Sequence, residues 1–306
     1  MEDIIQLRDG DIVVSIATTF GNNAYSMTVC GQEVLWRPQP TLEEWRAHPA
    51  FGGVPLLAPW ANRIDQESYY ANGKRYFLNA GLNNLRFDAN HLPMHGLVAY
   101  TSQWRVIHRD ANSVTSRLEY WRIPDWMAQF PFAHTIEITH RLEAGSLEVA
   151  TSVENLAAEP MPLSLGYHPY FQLTDAPRDE WRVRVPAREH VMISDKYVPT
   201  GQRRPNDLPD PFPLVGRTLD DVFSGLTGDE FVLEGRNQRI SVRFGTKYPV
   251  AIVYAPGPPR GVVCFEPMSA LTNAFNLTHA GIDAGLRSIA PGDTWRESFW
   301  ITPSGF

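Results

Sequence analysis

Apolar and polar residues alternate along much of the chain, as at Ile136, Ile138 and Leu142 and again at Leu147, Val149, Thr151 and Val153. A period of two puts successive side chains on opposite faces of an extended backbone, so each run predicts a half-buried strand. The pattern returns at Trp181, Val183 and Val185 and at Ile240, Val242 and Phe244. Turn residues separate the runs, among them Asp9-Gly10, Glu143-Ala144-Gly145 and Pro291-Gly292-Asp293. The expected outcome is an all-β, antiparallel architecture. Helical signals are short. Thr41-Leu42-Glu43-Glu44 has the form of a capping box and opens a helix that should end before Pro49, and residues 125–129 predict a second turn. Residues 205–213, with four prolines, read as an irregular surface loop. No repeat, low-complexity tract or linker divides the chain. Residues 1–306 are therefore expected to form a single domain of two large sheets packed face to face, bigger than a seven-stranded sandwich.

Composition narrows the choice of partners. The 306 residues are 43% hydrophobic and 11% aromatic, with 25 Pro and 22 Gly, which suits a globular protein rich in turns. The net charge of −7 supplies no basic stripe, so neither nucleic acid nor an anionic membrane is an expected partner, and a neutral small molecule fits better. Cys30 and Cys264 are too few for a disulfide scaffold or a cysteine-based zinc site, and both are expected to be buried thiols. The opening Met1-Glu2-Asp3-Ile4-Ile5 lacks the basic start and apolar run of a signal peptide, and no stretch reaches the ~20 apolar residues of a membrane span. A cytoplasmic location is the expectation.

Several stretches could carry chemistry. In Gly166-Tyr167-His168-Pro169-Tyr170-Phe171, proline removes a ladder donor and keeps the preceding histidine extended, leaving its side chain free to face a cleft. Such a histidine suits a proton donor, or else it is a satisfied core residue. Glu266 interrupts the apolar run Val262-Val263-Cys264-Phe265-Glu266-Pro267-Met268. Burial raises the pKa of such a carboxylate and makes it a stronger base; alternatively it is an inward Glu paired with an arginine, and Arg63 is a candidate partner in both cases. Asn62-Arg63, after Pro59-Trp60-Ala61, sets an amide and a forked guanidinium beside an aromatic ring, a combination suited to sugar hydroxyls. Asp220, in Leu219-Asp220-Asp221-Val222-Phe223, is either a site carboxylate or a solvated loop residue. His91 and His95 stand four apart like helical metal ligands, but Pro93 between them breaks the helix and no cluster completes the set, so no metal is expected. Pro162-Leu163-Ser164-Leu165-Gly166 matches only half of a serine nucleophile elbow, and there is no phosphate loop or dinucleotide fingerprint, so no cofactor is expected.

Asn62-Arg63-Ile64, His95-Gly96-Leu97, the His168 hexapeptide, Leu219-Asp220-Asp221-Val222-Phe223 and Phe265-Glu266-Pro267, in that order, make the chain resemble the aldose 1-epimerase (galactose mutarotase) family over its whole length. The resemblance implies a large two-sheet β-supersandwich and a cofactor-free isomerase that interconverts the α and β anomers of a free aldohexose. It also implies His168 as general acid, Glu266 as general base, and Asn62, Arg63, His95 and Asp220 as sugar-binding residues. One departure is that the family's sugar-contacting glutamine, on the strand before the catalytic glutamate, has no counterpart in Pro249-Val250-Ala251-Ile252-Val253-Tyr254, where Ile252 takes its place. Trp36 or Trp60 is a candidate to stack on the sugar. The alternatives are a hexose-6-phosphate 1-epimerase using Arg86, Arg203, Arg204 or Arg260, a glycosidase using Asp220 and Glu266, and a non-catalytic carbohydrate-binding sandwich.

Overall fold

The computed structural model describes residues 3–306. Two antiparallel sheets dominate. The larger has nine strands, ordered Phe212–Pro213, Arg182–Arg184, Glu230–Glu234, Arg239–Phe244, Thr294–Ser304, Ser146–Asn155, His134–Glu143, Ser113–Glu119 and Arg105–Arg109. The other has eight. Its order is Pro199–Pro205, Ala187–Ile193, Leu219–Leu226, Val250–Ala255, Val263–Met268, Gly166–Tyr167 and Leu56–Leu57, with Tyr170–Phe171 as a further short partner of Val263–Met268. A four-stranded meander precedes both in the chain.

The alternation seen in the sequence explains the layering. In His134–Glu143 the residues Ile136, Ile138, His140 and Leu142 are buried and their neighbours are less so. Its partner Ser146–Asn155 buries Leu147, Val149, Thr151 and Val153. The two-residue connection between them, Ala144-Gly145, has positive φ at both positions (49° and 77°), the twist a tight hairpin requires. The inner faces of the two sheets meet in one large core. Phe231 packs on Phe265 with ring centres 5.7 Å apart, Tyr167 on Phe299 at 4.9 Å, and the Tyr167 hydroxyl lies 2.6 Å from Thr151 Oγ1. Along Val263–Met268, Val263 and Phe265 belong to this core, whereas Cys264, Glu266 and Met268 point to the opposite face of the eight-stranded sheet.

Among the described residues the α-helices are three six-residue pieces. Leu42–Ala47 carries the expected capping box: Thr41 Oγ1 accepts from Glu44 N at 3.2 Å, and the Glu44 carboxylate accepts from Thr41 N. Pro124–Gln129 covers the second expected turn. Ala274–His279 has no counterpart in the sequence reading, because six residues are too few to display a helical period. Two expectations fail. Cys30 is exposed, since Cys30-Gly31 is itself a two-residue hairpin loop with positive φ at both positions (49° and 79°). Phe212, in the proline-rich stretch, is fully buried and pairs with Val183 at the edge of the nine-stranded sheet. Among the described residues no helix is long and apolar enough to cross a membrane.

Candidate active site

Glu266 and His168 are brought together by strand register. Gly166 pairs with Met268 and Tyr170 with Cys264, the same register on both sides of a gap, so His168 stands directly opposite Glu266. The gap arises because Pro169 has no N–H to donate, while the His168 N–H turns instead to the Pro55 carbonyl at 3.1 Å. Pro267 removes another donor beside Glu266. Proline is rare inside central strands, and here two of them border one pair of side chains. Gly166 permits the close approach of the two segments: a Cβ there would lie 2.9 Å from the Pro267 carbonyl oxygen and would run into Met268 Sδ.

The opposite wall comes from two irregular segments bound to each other, with Ala58 bridging Gly96 and Arg63 bridging Met94. The His95 N–H donates to the Asn62 carbonyl at 2.8 Å. Asn62 and His95 both have left-handed backbones (φ 51° and 62°), a region Asn and His enter more readily than branched residues do. Gly96 follows, also at positive φ, where any Cβ would collide with the Ala58 carbonyl. Asp220 enters from Leu219–Leu226, its Cα opposite that of Tyr254.

All six side chains singled out in the sequence, Asn62, Arg63, His95, His168, Asp220 and Glu266, line one cavity of about 510 Å³ on the outer face of the eight-stranded sheet. His168 Nε2 lies 3.2 Å from Glu266 Oε1 and 3.4 Å from the Tyr170 hydroxyl. The imidazole is stacked on the Tyr170 ring (4.4 Å, 6°) with Phe51 at 6.3 Å, and His95 meets it edge-on at 5.7 Å. His95 Nδ1 is buried without a hydrogen-bond partner, and the Asn62 amide hydrogen-bonds the Glu266 carboxyl. Buried polar atoms are rarely left unpartnered, and the polar side chains that line the cavity suit a polyhydroxylated ligand.

Burial sets the electrostatics. It pushes the Glu266 carboxyl well above the usual carboxylate range, with the Asp220 charge adding to the rise and Arg63 opposing it. It pulls His168 down to about 3 and His95 well below the ordinary histidine value. Asp220 is raised by burial and held back by Arg63. His168 is therefore held far from the pKa of a solvated histidine. Burial raises the one group and lowers the other, which favours a neutral pair sharing one proton, with that proton on the carboxyl side.

Other expectations are redistributed. Arg63 is not bonded to Glu266; its Nε donates to Asp88 Oδ2 at 2.7 Å. Of the two tryptophans, Trp36 lines the cavity, whereas Trp60 is 1% exposed within the core. Ile252 is the Cα partner of Glu266, but its side chain is packed in an apolar cluster and does not reach the cavity; Tyr254 does. Of the four arginines considered for a phosphate, only Arg260 lines the cavity. Arg86 lies over the Tyr100 ring at 4.1 Å, while Arg203 and Arg204 are engaged with Asp283 O and with Asp207. His91 is exposed on a turn, apart from His95, and among the described residues no three His, Cys, Asp or Glu side chains gather as a metal cluster. Tyr170, Tyr254 and Phe51 also line the site; only Tyr170 had a sequence signal, its place two residues after His168 on the same face of an extended segment.

A family model described as aldose 1-epimerase matches residues 3–302. Two uncharacterised Escherichia coli proteins are similar in sequence: YihR, 26% identical over 74% of this chain and 72% of its own length, and YphB, 23% identical over 78% and 79%. The fold is shared with a galactose mutarotase-like protein from Clostridium acetobutylicum, with a TM-score of 0.88 at 20% identity over 99% of this chain and 95% of that one. With a family match that spans both large sheets and every residue lining the cavity, the chain belongs to the aldose 1-epimerase family.

Proposed function

We propose that the protein is an aldose 1-epimerase acting on a free aldohexose, with Glu266 as general base and His168 as general acid. The observation that carries this reading is the 3.2 Å contact between His168 Nε2 and Glu266 Oε1 in a cavity lined by Asn62, Arg63, His95 and Asp220. Anomer exchange needs one proton removed from the C1 hydroxyl and one delivered to the ring oxygen. A pair holding a single proton meets both demands.

In the resting site that proton is on Glu266. Its passage across the 3.2 Å contact to Nε2 gives the carboxylate–imidazolium tautomer, which has the same proton count; the positive charge of Arg63 favours its carboxylate half and opposes its imidazolium half. Glu266 then takes the C1 hydroxyl proton while His168 protonates O5. The C1–O5 bond breaks and the C1 carbonyl forms. After rotation about C1–C2, O5 attacks the other face of the carbonyl, returns its proton to His168, and O1 is reprotonated by Glu266. Arg63, Asn62, His95 and Asp220 hold the hydroxyls, and the Trp36 and Tyr254 rings offer apolar surface to the sugar face.

The reading is tested by anomer-exchange NMR on galactose and glucose alongside methyl α-galactoside. The expected result is accelerated exchange for the free sugars and an intact glycoside. Release of methanol from the glycoside would replace the proposal with a hydrolase acting through Asp220 and Glu266.

A further inference from the structure

Arg63 is held on two sides by residues that do not line the cavity. Its Nε donates to Asp88 Oδ2 at 2.7 Å, and its guanidinium carbon lies 4.8 Å from the centre of the Tyr197 ring. The carboxylate is itself fixed: Asp88 Oδ1 accepts the backbone N–H groups of Asn90 and Leu92 at 2.8 and 2.9 Å, and the Asp88 N–H closes the same turn on the Leu92 carbonyl. The ion pair is sheltered, with side chains 15% and 7% exposed, and so escapes most of the screening that makes surface pairs weak. With Nε bonded to Asp88 and one face against the Tyr197 ring, the terminal nitrogens remain as the guanidinium's free edge, and Arg63 lines the cavity.

We infer that Asp88 and Tyr197 are positioning residues which hold the Arg63 guanidinium so that its terminal N–H groups face the sugar. This rests on the reading of the cavity as an aldose site. Asp88 fixes the guanidinium along the Nε–H axis, and Tyr197 supports it through a cation–π contact from a turn, Ser194–Val198, closed by the Ser194 N–H to Val198 O bond. The two constraints come from segments far apart in the chain, 86–94 and 194–198, and act on one side chain. A flexible arginine would spend binding energy on ordering itself; one already ordered loses less.

The test is a double-mutant cycle on mutarotation kinetics with Asp88→Ala, Asp88→Asn, Tyr197→Ala, Tyr197→Phe and Arg63→Ala. Asp88→Ala and Tyr197→Ala are expected to raise KM about five- to tenfold with kcat within about threefold, the range for weakening one charge-assisted contact. Tyr197→Phe, which keeps the ring, should restore KM to within about twofold. In the Arg63→Ala background neither alanine substitution should raise KM further. Asp88→Asn keeps an acceptor for the turn amides and guards against a variant that merely misfolds. Independent losses in the Arg63→Ala background, or an unchanged KM in Asp88→Ala and Tyr197→Ala, would overturn the inference. An inert wild type would instead be a failure of the proposed reaction, and the inference would then be decided by hydrogen exchange at Arg63 Nε. Exchange slow in the wild type and fast in Asp88→Ala supports it, and exchange equally fast in both contradicts it.

Discussion

His168 and Glu266, far apart in the chain, occupy directly opposed positions on adjacent strands with Nε2 and Oε1 3.2 Å apart, and a proline follows each of them. Local chemistry marks both residues in the sequence, but their pairing depends on long-range register, which no local pattern encodes.

Their shared burial makes a prediction about pH. Because His168 is drawn down to about 3 and Glu266 is pushed up, the one-proton form of the pair is favoured. The profile of kcat/KM, which reports the free enzyme, should be bell-shaped, with its acid limb well below 6.5, where the pair takes up a second proton, and its alkaline limb set by the raised Glu266 carboxyl. An acid limb centred near 6.5 would mean that His168 titrates as a solvated histidine.

Buried histidines outside the site also make stability depend on pH. His134 and His140 are both lowered to about 4 from 6.5 by burial. As pH falls below 6.5 the unfolded chain takes up these protons before the native state does, so stability is intact above 6.5, declines between 6.5 and about 4, and the loss is complete below. The shift corresponds to roughly 3 kcal/mol per histidine. Urea denaturation across this range should show the decline, and His140→Leu should remove about one proton's share of the slope. A slope unaltered by the substitution would refute a neutral, buried His140.

Gly166 is expected to be intolerant of a side chain. Gly166→Ala would press a methyl against the Pro267 carbonyl and Met268 Sδ and part the segments that oppose His168 to Glu266. A stability loss of about 1–3 kcal/mol is expected, typical of overpacking, together with a fall in kcat. Chemical denaturation and progress curves on the same preparation measure both; a stable variant of full activity would show that the strands have room.

Much of the fold was legible because it is carried by local signals. Alternation located the strands at Ile136 to Val153, and Thr41 with Glu44 marked a helix start. Cys30 and Phe212 were misjudged because burial depends on where a turn or an edge strand lands, not on residue type. His168, Glu266, Asn62 and Arg63 were visible by local chemistry, Asp220 was ambiguous by that measure, and His95 was reached through the family resemblance. Asp88, Tyr197 and Tyr254 were not visible, since a single polar or aromatic residue in a loop or strand gives no signal until its partner is known. The lowered pKa of His168 was equally hidden, being a product of rings contributed by Phe51, His95 and Tyr170 from separate segments.

Sugar charge provides a further check. With Arg203 and Arg204 engaged elsewhere and Arg86 packed on Tyr100, Arg260 is the one of these four arginines at the cavity. Glucose 6-phosphate is therefore expected to gain less than about a hundredfold over glucose in kcat/KM at fixed ionic strength. A larger preference that Arg260→Ala abolishes would reassign the substrate to a sugar phosphate.

The most direct measurement is polarimetry of freshly dissolved α-galactose and α-glucose with wild type, Glu266→Gln and His168→Asn. The wild type should speed the decay of rotation well beyond the buffer rate, and each variant, still folded, should lower kcat by about 10²- to 10⁴-fold, the usual worth of one general acid or base. A wild type that leaves the decay at the buffer rate, or a folded Glu266→Gln protein that matches the wild type, would contradict acid–base mutarotation by this pair.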